Sequence, residues 1–201
     1  MEVALSIDLL NERVCHEYDY GEKRIVGIIL ARYNIGLTKD VISDCYEYWH
    51  LNTGKFLDIF LAGYGAYLCP DDQTSTKMIL DFSGNDDRIY FDLEAFISIK
   101  NEFNQVCDKK YKDHVELILA NYYDGHIHFN EVLKIDLEKN LDKSYSKIRQ
   151  LVELITNECK SKHDIVSLIR QLKKTEFFDI IKGFKLSDVI NFTLAAAGII
   201  I

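Results

Sequence analysis

Arg32-Tyr33-Asn34 follows one apolar stretch of the chain, and Gly63-Tyr64-Gly65 follows another, with Tyr67 close behind. Together they hold the groups an anion site uses: a guanidinium able to grip phosphate or carboxylate bidentately, a carboxamide, and glycine N–H groups able to form a nest. Asp58 stands between Leu57 and Ile59 in the apolar run from Lys55 to Leu61, and shares a strand face with Phe56 and Phe60. A carboxylate in that setting must be paired, hydrogen-bonded or protonated. It reads as a tuned general base or, the preferred expectation, as half of a structural contact. His126 and His128 point to one face of a strand with Asp124 nearby, but two imidazoles do not complete a metal site, so a surface hairpin face is expected and no metal. His50 follows Trp49 at a helix end, where the dipole favours an imidazolium.

Several known chemistries are excluded by spacing. A dinucleotide fingerprint would need glycine where Leu68 stands and should open a helix, whereas Cys69-Pro70-Asp71-Asp72 follows. Asn52-Thr53-Gly54-Lys55 has Trp49 where a phosphate-binding loop needs its first glycine. No nucleophile elbow and no local Cys-His signature occurs, so no cofactor and no particular catalytic residue is assigned.

The 201 residues carry 32 acids against 24 Lys and Arg, a net charge of -8, which disfavours broad contact with nucleic-acid backbones. Five cysteines, Cys15, Cys45, Cys69, Cys107 and Cys159, are widely spaced with no C-x-x-C pair, fitting neither a disulfide scaffold nor a zinc knuckle. Glu2 and Asp8 near the start replace the basic region of a signal peptide, so a reduced cytoplasmic setting is expected.

These residues need elements to position them. Arg24 to Ala31 is a β-branched apolar run, the pattern of a central strand covered on both faces. Thr38 caps a helix whose stripe includes Val41, Ile42, Cys45, Tyr48 and Trp49, and the strand Lys55 to Leu61 then completes a βαβ unit with parallel pairing. Ala4 to Leu10 and Arg13 to Tyr18 are expected to supply a short hairpin or edge strand. Lys77 to Phe82 and Arg88 to Phe91 form a first hairpin. Asp92 caps a helix through Phe96, Ile99, Phe103 and Val106, and Val115 to Ala120 pairs across Asp124-Gly125 with the alternation Ile127, Phe129, Leu133, Ile135, Leu137. Two helices follow, with stripes Ile148–Cys159 and Ile165–Leu172. The second is expected to bend before Phe177-Phe178, Gly183 ends that run, and a last helix starts near Ser187.

The expected fold is therefore α/β: a mixed sheet with a central βαβ unit and two hairpins over residues 1–140, then a helical C-terminal extension over 141–201. Its element order resembles a thioredoxin-like arrangement with an added strand. Arg32-Tyr33-Asn34-Ile35-Gly36 holds no cysteine where such redox proteins carry two, so redox activity does not transfer.

Ligands of α/β sheets gather beyond the carboxyl ends of parallel strands. The candidate site thus comprises Arg32, Asn34, Asp58, Gly63, Tyr64 and Gly65. The leading expectation is a non-enzymatic binding or regulatory module that recognises a protein or a small, anionic ligand at this edge. The alternatives are a small hydrolase or transferase using Asp58, Arg32, His50 or Asn34, and a membrane-associated or self-associating effector. The last would act through Val189 to Ile201, whose apolar residues fall short of the roughly 20 a spanning helix needs and otherwise read as a buried terminal helix.

Overall fold

The computed structural model describes residues 2–4, 6–19, 21–33, 49, 52–53, 56–66, 76–82, 87–106, 110–138, 145–161 and 164–185. The expected helix from Thr38 is described only at Trp49, Asn52 and Thr53, all helical, and the apolar terminus lies outside the described residues.

The chain opens with β1 (Glu2–Ala4) and then α1 (Ile7–Glu17), in place of the expected hairpin. The apolar spacing decides it: Ile7, Leu10 and Val14 recur at three and four residues and are buried, and Ser6 caps the helix by accepting from the Leu9 N–H at 3.1 Å. β2 (Arg24–Leu30) and β3 (Asp58–Ala62) pair in parallel as expected, with Val26 opposite Asp58 and Ile29 opposite Leu61.

After Ala62 the chain leaves one sheet for another. Gly63 turns it at φ +77°, and β4 (Tyr64–Ala66) joins β5 (Thr76–Phe82) and β6 (Asp87–Asp92) in a three-stranded antiparallel sheet of order β4-β6-β5. The expected first hairpin is thus β5/β6, placed outside the main sheet. Asp92 then caps α2 (Leu93–Val106), its Oδ1 accepting from the N–H groups of Glu94 and Ala95 at 2.9 and 3.0 Å.

β7 (Glu116–Tyr123) and β8 (His126–Asp136) form the second expected hairpin. Asp124 and Gly125 both have positive φ, 51° and 76°, which a two-residue turn matched to the strand twist requires. α3 (Tyr145–Cys159) and α4 (Ile165–Leu172) follow, the latter capped by Asp164, whose Oδ1 accepts from the Ser167 N–H at 2.8 Å. Beyond them the helical expectation fails. A 3-10 turn (Glu176–Ile180) leads into β9 (Ile181–Lys185), a strand through Gly183 that pairs antiparallel with β8.

The main sheet has the order β1-β3-β2-β7-β8-β9, parallel over β1, β3 and β2 and antiparallel from there on. The α/β class and mixed sheet read from the sequence are both present. Helices lie on both faces. The α2 side chain Phe103 lies 4.7 Å from the Lys134 ammonium on one face, while the first N–H of α4, on Ile165, donates at 3.1 Å to Asn121 Oδ1 on the other. Burial on both faces explains why Ile25, Val26, Ile28, Ile29 and Leu30 are all core residues.

Candidate functional site

The carboxyl edge of β2 and β3 is where Arg32-Tyr33 and Gly63-Tyr64-Gly65 meet. Tyr64 is fully buried, and its hydroxyl donates to the Ala31 carbonyl at 2.7 Å, fastening the small sheet to the end of β2. Its ring lies 5.0 Å from Phe91, which lies 5.7 Å from Phe96, which meets Tyr111 edge-on at 5.8 Å. The Tyr111 hydroxyl accepts from the Arg32 backbone N–H at 3.4 Å, and its own N–H donates to Asn104 Oδ1 of α2 at 2.8 Å. Burial raises the pKa of both phenols, so they stay neutral.

Gly63 has a packing reason for its identity. A Cβ built there would lie 2.5 Å from Phe96 Cβ and 2.8 Å from Phe96 Cα, so the chain corner is pressed against the first turn of α2. Its carbonyl accepts from the Asp92 N–H at 2.8 Å. Gly65 is buried in β4 opposite Tyr90. The two glycines and the tyrosine therefore close the joint between the sheets. Half-buried Arg32 and Tyr33 form the rim of this edge, Tyr33 packing 6.2 Å from Phe91. Asp113, Glu116 and Glu138 are close enough to push the Tyr111 phenol further up. Asn34, His50 and Tyr67 lie outside the described residues.

Asp58 is not at this edge. It is the first residue of β3, opposite Val26, whereas Arg32 follows Leu30, so at least four strand residues, about 13 Å, separate their levels in the sheet. There it is buried and accepts a hydrogen bond from the Tyr18 hydroxyl, just past α1. The Arg24 guanidinium lies 4.8 Å from the Tyr18 ring and donates through Nε to Glu22 Oε1 at 2.9 Å. Tyr122 completes the cluster, 5.8 Å from Tyr18. The carboxylate thus has a structural partner, Tyr18, which no local spacing in the sequence indicates.

The two hairpin histidines have different surroundings. His128 stacks on Tyr123 at 3.5 Å with the rings 6° from parallel, its Nε2 lying 3.2 Å from the Tyr123 carbonyl, while His126 is exposed. Among the described residues no group of three or more His, Cys, Asp or Glu could hold a metal ion. Two further polar groupings escaped the sequence reading. Glu116 and Asp136 face each other across β7/β8 with Lys134 two pairs along, all buried. Asn121 donates to Glu131 Oε2 at 2.7 Å while accepting from α4.

Comparison with known proteins adds no relationship: no family model, no curated protein and no solved structure matches the chain. Among the described residues no helix is long and apolar enough to cross a membrane.

Proposed function

We propose that the chain is a non-enzymatic binding module whose recognition surface is the rim at Arg32 and Tyr33, and that its partner is a protein. One observation carries this reading: Asp58 and Arg32, the acid and the cation offered for catalysis, lie at opposite ends of the sheet, with Asp58 held by Tyr18. General acid–base chemistry needs its groups within hydrogen-bond reach of one reacting atom. The rim suits a protein better than a free anion, since Gly63 is packed against α2, Gly65 is buried in β4, and acids lie near Tyr111. An arginine and a tyrosine over an aromatic underlayer are the residue types that anchor protein interfaces.

The test is affinity capture with purified wild type and the Arg32→Ala/Tyr33→Ala double variant, followed by native mass spectrometry of the eluted complexes. A defined complex formed by wild type and lost in the variant, at unchanged melting temperature, is the expected result. Equal capture by both proteins removes the rim as the recognition surface. Hydrolysis of generic ester or phosphate substrates that Asp58→Asn abolishes would replace the proposal with the enzyme reading.

A further inference from the structure

Two arginines with described side chains are half-buried, Arg24 and Arg32, and the fold treats them differently. Arg24 is engaged: Glu22 Oε1 accepts from both its Nε and its Nη2, and its guanidinium lies 4.8 Å from the Tyr18 ring. Arg32 is engaged only through its backbone, whose N–H donates to the Tyr111 hydroxyl at 3.4 Å. Among the described residues its guanidinium takes part in no hydrogen bond, ion pair or ring contact. Arg170 shares that lack but is exposed, so water solvates it.

A guanidinium is a planar fork of N–H donors that stays charged in proteins, so partial withdrawal from water leaves donors in want of an acceptor. The acceptor that matches the fork is a planar or tetrahedral oxyanion taken bidentately. Charge decides between the two. Asp113, Glu116 and Glu138 each push up the Tyr111 phenol, the group bonded to the Arg32 N–H. Coulomb repulsion scales with the charge of the newcomer, so whatever these acids cost a carboxylate they cost a dianionic phosphate about twice over. A free carboxylate would gain the guanidinium contact alone. One carried on a protein also buries surface over Tyr33, whose ring lies 6.2 Å from Phe91.

Resting on the reading of the rim as a protein-binding surface, we infer that Arg32 is its specificity residue and that the partner meets it with the side-chain carboxylate of an Asp or Glu. Tyr33 supplies apolar contact area, and Arg32 supplies the selection. A Gln or Asn in the acid's place would leave the guanidinium without a counter-charge, and a lysine in place of Arg32 would keep the charge but lose the planar fork.

The experiment selects phage-displayed random linear peptides on the full chain and discards clones that bind the Arg32→Ala/Tyr33→Ala variant equally well. The rim-dependent peptides that remain should share an Asp or Glu. Synthetic copies carrying that acid or its amide are then titrated against wild type and Arg32→Gln as a double-mutant cycle. Either change alone should weaken binding about tenfold or more, and both together should weaken it no further than one, because the pair is lost only once. Arg32→Gln removes no side-chain contact among the described residues, so its melting temperature should match that of wild type. Rim-dependent peptides without a shared acid, or losses that add, overturn the carboxylate assignment and leave the protein-binding surface in place. Displacement of the peptide by inorganic phosphate at lower concentration than by acetate overturns it in favour of a phosphate. A selection that yields no rim-dependent peptide overturns it as well, whereas the protein-partner reading stands or falls with the capture experiment.

Discussion

Substituting Gly63 by alanine tests the joint on which the carboxyl edge depends. The new Cβ would lie 2.5 Å from Phe96 Cβ, 2.8 Å from its Cα and 3.0 Å from its N, where nonbonded carbons prefer about 3.5–4.0 Å. All three contacted atoms belong to the helix backbone or to its first side-chain carbon, so no rotamer change relieves them. The Asp92 N–H that caps the corner is bonded to the Gly63 carbonyl at 2.8 Å, which resists moving the strand away. The left-handed φ of +77° adds about 1–2 kcal/mol for a residue with a Cβ, and overpacking adds about 1–3, so Gly63→Ala should cost roughly 2–5 kcal/mol. The assay is urea denaturation at constant m. Gly21→Ala is the control, because nothing lies within 4 Å of its added Cβ, and it should change stability by no more than about 0.5 kcal/mol. Adding Phe96→Ala should not rescue the variant, since alanine keeps the same N, Cα and Cβ. A cost below about 1 kcal/mol, or rescue by Phe96→Ala, would refute the close-approach argument.

Three other buried groups give expected outcomes. Asp58→Ala should cost about 3 kcal/mol or more by stripping a buried cluster of its carboxylate, and Tyr18→Phe about 1–2; near-neutral midpoints for both would show that the contact contributes nothing. Burial pushes the Cys159 thiol from 9.0 up to about 12, so the folded state holds a proton that the unfolded chain releases above its own pKa. Stability is therefore full below pH 9 and falls as pH rises toward 12. Roughly 0.8 kcal/mol should be lost between pH 8 and 9.5 in wild type and spared in Cys159→Ala, and equal losses in both proteins would place that thiol outside the core. Thr156→Val removes a buried hydroxyl without a partner among the described residues and should leave stability unchanged or raise it by up to about 1 kcal/mol; a loss above about 1 kcal/mol would mean that the hydroxyl is bonded in solution.

The parts of the fold that could be read from the sequence are those whose signals are local. The apolar run at Arg24–Leu30, the Asp92 cap and the Asp124-Gly125 turn each depend on neighbours a few residues away, and each element appears where that chemistry puts it. Lys134 and Asp136 show where local reading stops. They alternate with Leu133, Ile135 and Leu137, so alternation assigns them to a solvated face, yet both are buried because helices cover the sheet on both sides. β9 was missed for a related reason: a five-residue strand around a glycine has no period of its own and is held by its pairing with β8.

The candidate site was harder to read than the fold because its residue types serve two purposes. Asp58 was placed within an apolar run starting at Lys55, but the strand begins at Asp58 itself, and that shift of three residues moves the carboxylate to the far end of the sheet from Arg32. Gly63-Tyr64-Gly65 raises the same problem in another form. Glycine N–H groups beside a phenol can cradle an anion, and they can equally close a sheet corner. Sequence holds no distance, whereas the 2.5 Å that an added Cβ at Gly63 would leave to Phe96 Cβ and the 2.7 Å from the Tyr64 hydroxyl to the Ala31 carbonyl show both residues committed to the corner. Under the proposed function, the groups left on this edge for a partner are therefore the Arg32 and Tyr33 side chains rather than a backbone nest.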